Sequence, residues 1–552
     1  MNEKKPVRRV LVIGLDGATW DLLTPWISAG KLPNLAKLHH SGVSGKLAST
    51  IHPITTPAWI SFMTGRTQGQ HGVYDHVRRR AGSYDIEIMD ATKIKSPLIF
   101  DYIGTQTAKS VAINIPMTYP PRPIEGALVS GLFASAVGPH IACPQSLYER
   151  IKEVAPDYVV HPDFQPRASD PLGHYKDDLL RSISDRFTVA ETLLAEQEWL
   201  LGVVVFTATD QVQHAFWHCM GDKKSKYKSA VFDVYQRIDQ NLDRLLRFAD
   251  ENTLLLIMSD HGAGPLHAMV NMNRWLADEG WLTFRQSSSL QRRSHFINQA
   301  AHAYKTYLPA SVRAWIRQTL PGPFKQAKEQ MESALFGDTI AWEQTKVYSL
   351  GACGSIFVNL QGREPAGIVA PGEEYETLCK ALSQQLMTLK TPTGEPLVKQ
   401  VLRREDLYHG PFLTDAPDLI IIWHDYGYWG RARYDQSVPK LFETDFHWDF
   451  GVLPISGTHR PEGILMAVGP GITAGQAITD AKLIDLAPTI LAFLGIPVPR
   501  GLDGRVLESL FSPGSLTITY DETDTLAITG NFAFSVEEEE KIKQHLTDLG
   551  YL

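Results

Sequence analysis

Cysteine is scarce: the 552 residues hold four, Cys143, Cys219, Cys353 and Cys379. Their spacing excludes a CxxC zinc knuckle and their number excludes a disulfide scaffold for so long a chain, so a reducing compartment is expected. No run approaches the ~18 uninterrupted apolar residues of a spanning helix. The basic start, Met1 to Arg9, leads into an apolar stretch, Val10 to Ile13, that Gly14 and Asp16 interrupt; a cytoplasmic start is expected rather than a signal peptide. Positive charge is not in excess. The 53 Lys plus Arg face 61 Asp plus Glu, a formal charge of -8, which disfavours sequence-independent nucleic-acid binding. Internal repeats and low-complexity tracts are missing. What is present is apolar and aromatic: 43% hydrophobic residues with 12 Trp, 19 Tyr and 22 Phe, enough to bury a large core and to exclude global disorder.

Short apolar runs recur and each ends in turn or polar residues: Val10 to Gly14, Val111 to Ile115, Ala127 to Leu132, Gly202 to Phe206, Thr253 to Met258, Ser355 to Leu360, Asp418 to Trp423 and Gly463 to Val468. Helical periodicity fills the spaces between, as over Ser182 to Gln197 and Ser229 to Phe248. Strands alternating with helices predict an α/β fold with a doubly wound, mostly parallel central sheet and helices on both faces. The pattern changes over residues 285–345, where prolines punctuate a basic and aromatic helical stretch. It reads as an inserted helical cap that divides an α/β core into residues 1–284 and 346–515, the latter with room for a small subdomain. Residues 516–552 form a tail with a charged terminal helix. The cap's Lys and Arg beside Tyr and Trp would suit an anionic substrate or a peripheral lipid contact, or simply a solvated amphipathic face.

Open α/β sheets place their sites at the carboxyl ends of parallel strands. Asp16 follows the first strand, and taken alone reads first as a helix N-cap rather than a ligand. Asp210 follows Gly202 to Phe206 with His214 four residues later, on one face if a helix begins there. Asp260 and His261 end Thr253 to Met258 beside the glycines Gly262 and Gly264. Thr55, two residues before Pro57, is a hydroxyl at a helix start, and His459 lies in a loop before Gly463 to Val468. Together, three Asp and three His at strand termini are ligands suited to zinc or manganese. They fill two sites. One takes Asp210, His214 and His459, the other Asp16, Asp260, His261 and Thr55.

In this order the motifs resemble the alkaline phosphatase superfamily, in its type I phosphodiesterase and nucleotide pyrophosphatase branch. The strand-end Asp matches Asp16, the Thr-x-Pro nucleophile Thr55, the Asp-x-x-x-His pair Asp210 and His214, the Asp-His pair Asp260 and His261, and the late His is His459. The stretches from Thr55 to His71, Gly457 to Ile472 and Asp485 to Gly504 are similar to a phosphohydrolase or phosphomutase group of the superfamily. One departure stands out: Ala58 stands where the nucleotide pyrophosphatases have an Asn three residues after the nucleophile; the signature of the sulfatases is also absent.

The resemblance implies an alkaline phosphatase-like fold and a two-metal hydrolase that cleaves small phosphate esters, diesters above all, through a phosphothreonine. Phosphoryl transfer, monoester hydrolysis and a silent metal-stabilised binding protein are the alternatives. A monoester, with its extra charge, calls for a further cation, for which Arg66 and Arg460 are the candidates; Asn114 and His447 are polar candidates for the same crevice.

Overall fold

The computed structural model describes residues 7–132, 134, 138–164, 169–285, 337, 339–432, 441–444 and 453–522. Most of the expected cap, the terminal helix and His447 lie outside the described residues. Among those described, no helix is long and apolar enough to cross a membrane, and all four cysteines are free thiols.

A nine-stranded sheet forms the centre. From edge to edge it runs Ala477–Lys482, Val43–Ala48, Glu462–Val468, Thr253–Met258, Arg9–Leu15, Leu201–Phe206, Ser110–Ile115, Gly126–Ser130 and Ala142–Cys143. The middle strands carry almost unbroken Val, Ile and Leu because helices cover both faces; every residue of Leu201–Phe206 and Thr253–Met258 is buried. Pairing is parallel except at Glu462–Val468 and Ala142–Cys143, which run against their neighbours. Arg9–Leu15 pairs with Leu201–Phe206 on one side and Thr253–Met258 on the other, so their three carboxyl ends open side by side where the strand order reverses.

Two of the apolar runs belong elsewhere. Ser355–Val358 and Leu419–Trp423 form a separate antiparallel sheet with Val347–Ser349 and Val398–Arg403, over its own core with helix Glu373–Leu386. A dry polar knot holds this unit. Asp418, fully buried, accepts from Arg363 at 2.6 and 2.8 Å, from Tyr375 Oη at 2.8 Å and from the Val358 N–H at 2.6 Å. Burial alone would push its carboxyl up, but the Arg363 and Arg404 guanidinium groups hold it below the usual range. Removing one partner of such a pair strands the other charge, so Asp418→Ala is expected to cost about 3 kcal/mol in urea unfolding. A loss under about 1 kcal/mol would show that water replaces the carboxylate.

Candidate metal centre

Five chain segments meet at the edge where the central strands end, the fifth being the start of helix Thr55–Thr64. Asp16 follows Arg9–Leu15. Asp210 lies in the first turn of helix Ala208–Gly221, just past Leu201–Phe206, and His214 sits one turn further on the same face. Asp260 and His261 follow Thr253–Met258. His459 precedes a strand rather than following one. Because Glu462–Val468 runs antiparallel to its neighbours, its leading end lies at the same edge as their trailing ends. The pairing of Gly262–Pro265 with Gly457–Arg460 sets Ala263 opposite His459.

The side chains converge in two adjoining sets. In one, Asp210 Oδ1 is 3.3 Å from His214 Nε2 and 3.5 Å from His459 Nε2, and the two imidazole nitrogens are 2.9 Å apart. In the other, His261 Nε2 lies 3.6 Å from Asp16 Oδ1, 3.3 Å from Asp260 Oδ2 and 3.2 Å from Thr55 Oγ1. Ligands ~2 Å from a tetrahedral ion stand roughly 3.3 Å apart, so both sets have metal-site spacing. The rings of His261 and His459 stack at 3.7 Å, which joins the halves; Asp210, His261 and His459 also bring ligand atoms within 4.8 Å of one another.

The surrounding backbone orients each ring. His214 Nδ1 faces the Gly457 carbonyl at 2.8 Å, His261 Nδ1 the Gly262 carbonyl at 3.0 Å and His459 Nδ1 the Pro53 carbonyl at 2.7 Å. A carbonyl only accepts, so each Nδ1 carries a proton and each Nε2 is turned inward, where its lone pair becomes available to a metal once that nitrogen is deprotonated, the arrangement of metal-binding histidines. The acids are arranged likewise. Trp59 Nε1 donates to Asp16 Oδ2 at 3.1 Å and the Gly17 N–H to Asp260 Oδ1 at 3.3 Å, while Asp16 Oδ1, Asp260 Oδ2 and Asp210 Oδ1, all buried, accept no hydrogen bond. Buried acceptors of this kind call for a cation.

The electrostatics agree. Burial, with Asp260 and Asp210 nearby, raises the Asp16 carboxyl well above its ordinary range, and burial with Asp210 pushes Asp260 up to about 8. Burial lowers His261 and His459. Burial would lower His214 too, but Asp210 raises it; the same partners hold Asp210 well below its ordinary value against its own burial. Three carboxylates in a dry pocket repel one another unless positive charge joins them.

Glycines permit the close fit. A Cβ on Gly457 would lie 2.4 Å from the Gln213 carbonyl oxygen, so Gly457→Ala would push the His459 strand away from helix Ala208–Gly221. Because Gly457 also supplies the carbonyl that orients His214, this variant is expected to lose at least tenfold in metal affinity, as measured by calorimetric titration with zinc. Unchanged affinity would show that the backbone shift is absorbed elsewhere.

All seven residues singled out from the sequence come together here. Of the weaker candidates, Arg66, Arg460 and Asn114 turn their side chains to backbone carbonyls. Arg66 lies beyond the far end of helix Thr55–Thr64, roughly 15 Å along its axis from Thr55, and donates to the Gly501 carbonyl at 2.7 Å. Arg460 points away from His459 and donates to the carbonyls of Tyr426, Pro265 and His459. Asn114 occupies a bulge in Ser110–Ile115 with φ +59°, and its amide donates to the Val205 carbonyl. Sequence reasoning missed Trp59, which grips Asp16; its place four residues after Thr55, on the same helical face, is the signal that was available. It also missed His76, whose Nδ1 is 2.6 Å from Thr56 Oγ1.

The model of the family described as type I phosphodiesterase / nucleotide pyrophosphatase matches residues 10–445. No curated protein matches the sequence. Phosphonoacetate hydrolase from Sinorhizobium meliloti 1021, solved in complex with phosphonoacetate, is similar in structure with a TM-score of 0.51 at 13% identity, over 89% of this chain and 96% of that one. Murine ectonucleotide pyrophosphatase / phosphodiesterase 5, solved in complex with AMP, gives 0.47 at 14% identity, over 92% of this chain and all of that one. At such identity the first likeness speaks for a shared fold, whereas the family match spans most of the chain and all but one of the converging residues. This chain therefore belongs to the type I phosphodiesterase / nucleotide pyrophosphatase family, and with it to the hydrolases that act on ester bonds.

Proposed function

We propose that this chain is a two-metal phosphohydrolase that cleaves small phosphodiesters with Thr55 as nucleophile. One observation carries the reading: three inward-turned imidazole Nε2 atoms, three carboxylate oxygens that accept no hydrogen bond and the Thr55 hydroxyl face one buried space. Asp210, His214 and His459 would hold one ion and Asp16, Asp260, His261 and Thr55 the other, a donor mixture that suits zinc and also accepts manganese. Such ions, when bound, make a hydroxyl easier to deprotonate and neutralise charge on phosphoryl oxygens.

The chain supplies the rest. Thr55 is the first residue of helix Thr55–Thr64, where the leading N–H groups have no partner within the helix. Pro57 has none to offer and the Ala58 N–H bonds to the Ile54 carbonyl, so Thr55 and Thr56 present theirs, with the positive end of the helix dipole, toward an incoming phosphoryl group. Attack by Thr55 Oγ on phosphorus breaks the bond to one alcohol, which leaves with the Thr55 proton, and the remaining phosphoryl ester stays bonded to Thr55 Oγ; water then cleaves the Thr55–phosphorus bond, releasing the phosphate monoester and returning the proton to Thr55. Thr55, 2% exposed, lies deep enough to exclude bulk water from the first step.

Preference for diesters is supported by the arginines. A monoester needs an added cation on its third oxygen, and both Arg66 and Arg460 are committed to backbone carbonyls. Turnover of bis-p-nitrophenyl phosphate beside p-nitrophenyl phosphate, with zinc or manganese added, is expected to favour the diester at least tenfold in kcat/KM. Preference for the monoester would overturn the diester assignment; cleavage of neither by fully metal-loaded protein would overturn hydrolysis of simple phosphate esters.

A further inference from the structure

The first turn of helix Thr55–Thr64 is gripped from two sides. Thr55 Oγ1 lies 3.2 Å from His261 Nε2, and Thr56 Oγ1 lies 2.6 Å from His76 Nδ1. Neighbouring helical residues point about 100° apart, so the two hydroxyls must find separate partners. Threonine is also stiff at χ1, being β-branched. Fixing the Thr56 hydroxyl therefore fixes the rotation of the turn about its axis, and that rotation decides where the Thr55 hydroxyl points.

His76 is well placed to do the fixing. It is 1% exposed, and burial pushes its pKa down to about 3, so the ring is neutral and acts as a hydrogen-bonding group rather than a charge. Its backbone N–H donates to Asp75 Oδ1 at 2.6 Å, and Asp75 Oδ2 accepts the Ala352 N–H at 2.8 Å. Ala352 lies in the turn between Val347–Ser349 and Ser355–Val358 of the second sheet. Gly351 makes this approach possible, with φ +77° and a missing Cβ that would otherwise lie 2.4 Å from Asp75 Oδ2. Immediately after His76 the hairpin formed by Val77–Arg79 and Ile86–Ile88 continues to the second sheet, where Arg79 pairs with Glu364 at 2.7 Å and Tyr84 donates to Asn359 at 2.6 Å.

We propose that His76 is a positioning residue that sets the first turn of the nucleophile helix through Thr56 and is itself set, through Asp75, by the turn of the second sheet. The proposal rests on the reading of Thr55 as nucleophile. A small misplacement of a reacting atom costs up to about a hundredfold. In the metal-loaded full chain, T56V is accordingly expected to lower kcat for bis-p-nitrophenyl phosphate by about 30-fold, with KM within about threefold of the unaltered protein and both ions retained. T56S keeps the hydroxyl and is expected to stay within about threefold. H76L is expected to match T56V, and H76N, whose amide reaches the same hydroxyl, to recover most of the rate. The double variant T56V/H76L should be no slower than either single, because both remove one interaction. Equal rates for T56V and T56S, or losses that multiply in the double variant, would overturn the proposal. A crystal structure of T56V with zinc gives a readout that does not depend on turnover. Displacement of Thr55 Oγ1 from its place against His261 is expected there, and an unmoved Oγ1 overturns the positioning role whether or not simple esters prove to be substrates.

Discussion

Thr55→Ala is expected to lower kcat/KM for bis-p-nitrophenyl phosphate at least about a thousandfold while both ions stay bound, a loss of roughly 4 kcal/mol in transition-state stabilisation. The substitution removes Oγ1, the atom 3.2 Å from His261 Nε2, and little else. Thr55 is the first helical residue and Ile54 the cap, so no capping bond is lost and alanine suits the position. On the proposed assignment one ion would keep Asp16, Asp260 and His261 and the other all three of its ligands. Metal content and thermal midpoint should therefore remain close to those of the unaltered protein, which separates loss of the nucleophile from loss of the fold. Thr55→Ser retains an oxygen but gains a freely rotating χ1, and an intermediate rate is expected. If Thr55→Ala kept activity within about tenfold, water rather than threonine would be the attacking group and the covalent step would fall.

The convergence of the strand-end acids can be read from the sequence for a physical reason. A parallel strand covered on both faces is apolar until it leaves the sheet, so the first acid after the run marks the edge: Asp16, Asp210 and Asp260 all stand within four residues of a strand end. His459 was harder to place, because a residue ahead of a strand reaches this edge only if the strand runs backwards, and direction is a tertiary property. The same limit explains the misplaced runs. Ser355–Val358 and Leu419–Trp423 are as apolar as the central strands, and nothing local says which sheet they join. Two outer strands, Val43–Ala48 and Ala477–Lys482, carry Lys, Thr and Asp on exposed positions and lack the continuous signal altogether. Arg66 and Arg460 looked like cations near a phosphate because charge is visible in a sequence, whereas the backbone carbonyls that occupy them are not. The carbonyls of Pro53, Gly262 and Gly457, which aim the three imidazoles, were invisible for the same reason.

Removing the ions should abolish turnover and, with rising pH, increasingly destabilise the protein. In the metal-free chain Asp260 titrates near 8 against an unperturbed 3.8, and Asp16 is raised in the same direction, both first of all by burial. Between those limits the folded state holds protons that the unfolded state has released, so metal-free stability falls as pH climbs toward 8. His261 and His459, lowered by burial, act oppositely but only below their unfolded value of 6.5, where the unfolded state binds protons and the folded state does not. Asp210, held low by its imidazole neighbours despite burial, matters only in acid. His214, which burial would lower but Asp210 raises, keeps its folded-state proton above 6.5 and so acts in the same direction as the carboxylates, and these three groups together dominate from pH 6.5 to 8. A bound ion competes with the same protons, so its affinity rises through this window while the metal-free protein weakens. The gap in Tm between zinc-loaded and chelated protein is expected to widen from pH 6.5 to pH 8, with proton release on zinc binding detectable by calorimetry in buffers of different ionisation enthalpy. A gap that stays constant, with no proton release, would mean that the acids are already ionised without metal and that some other positive charge balances them.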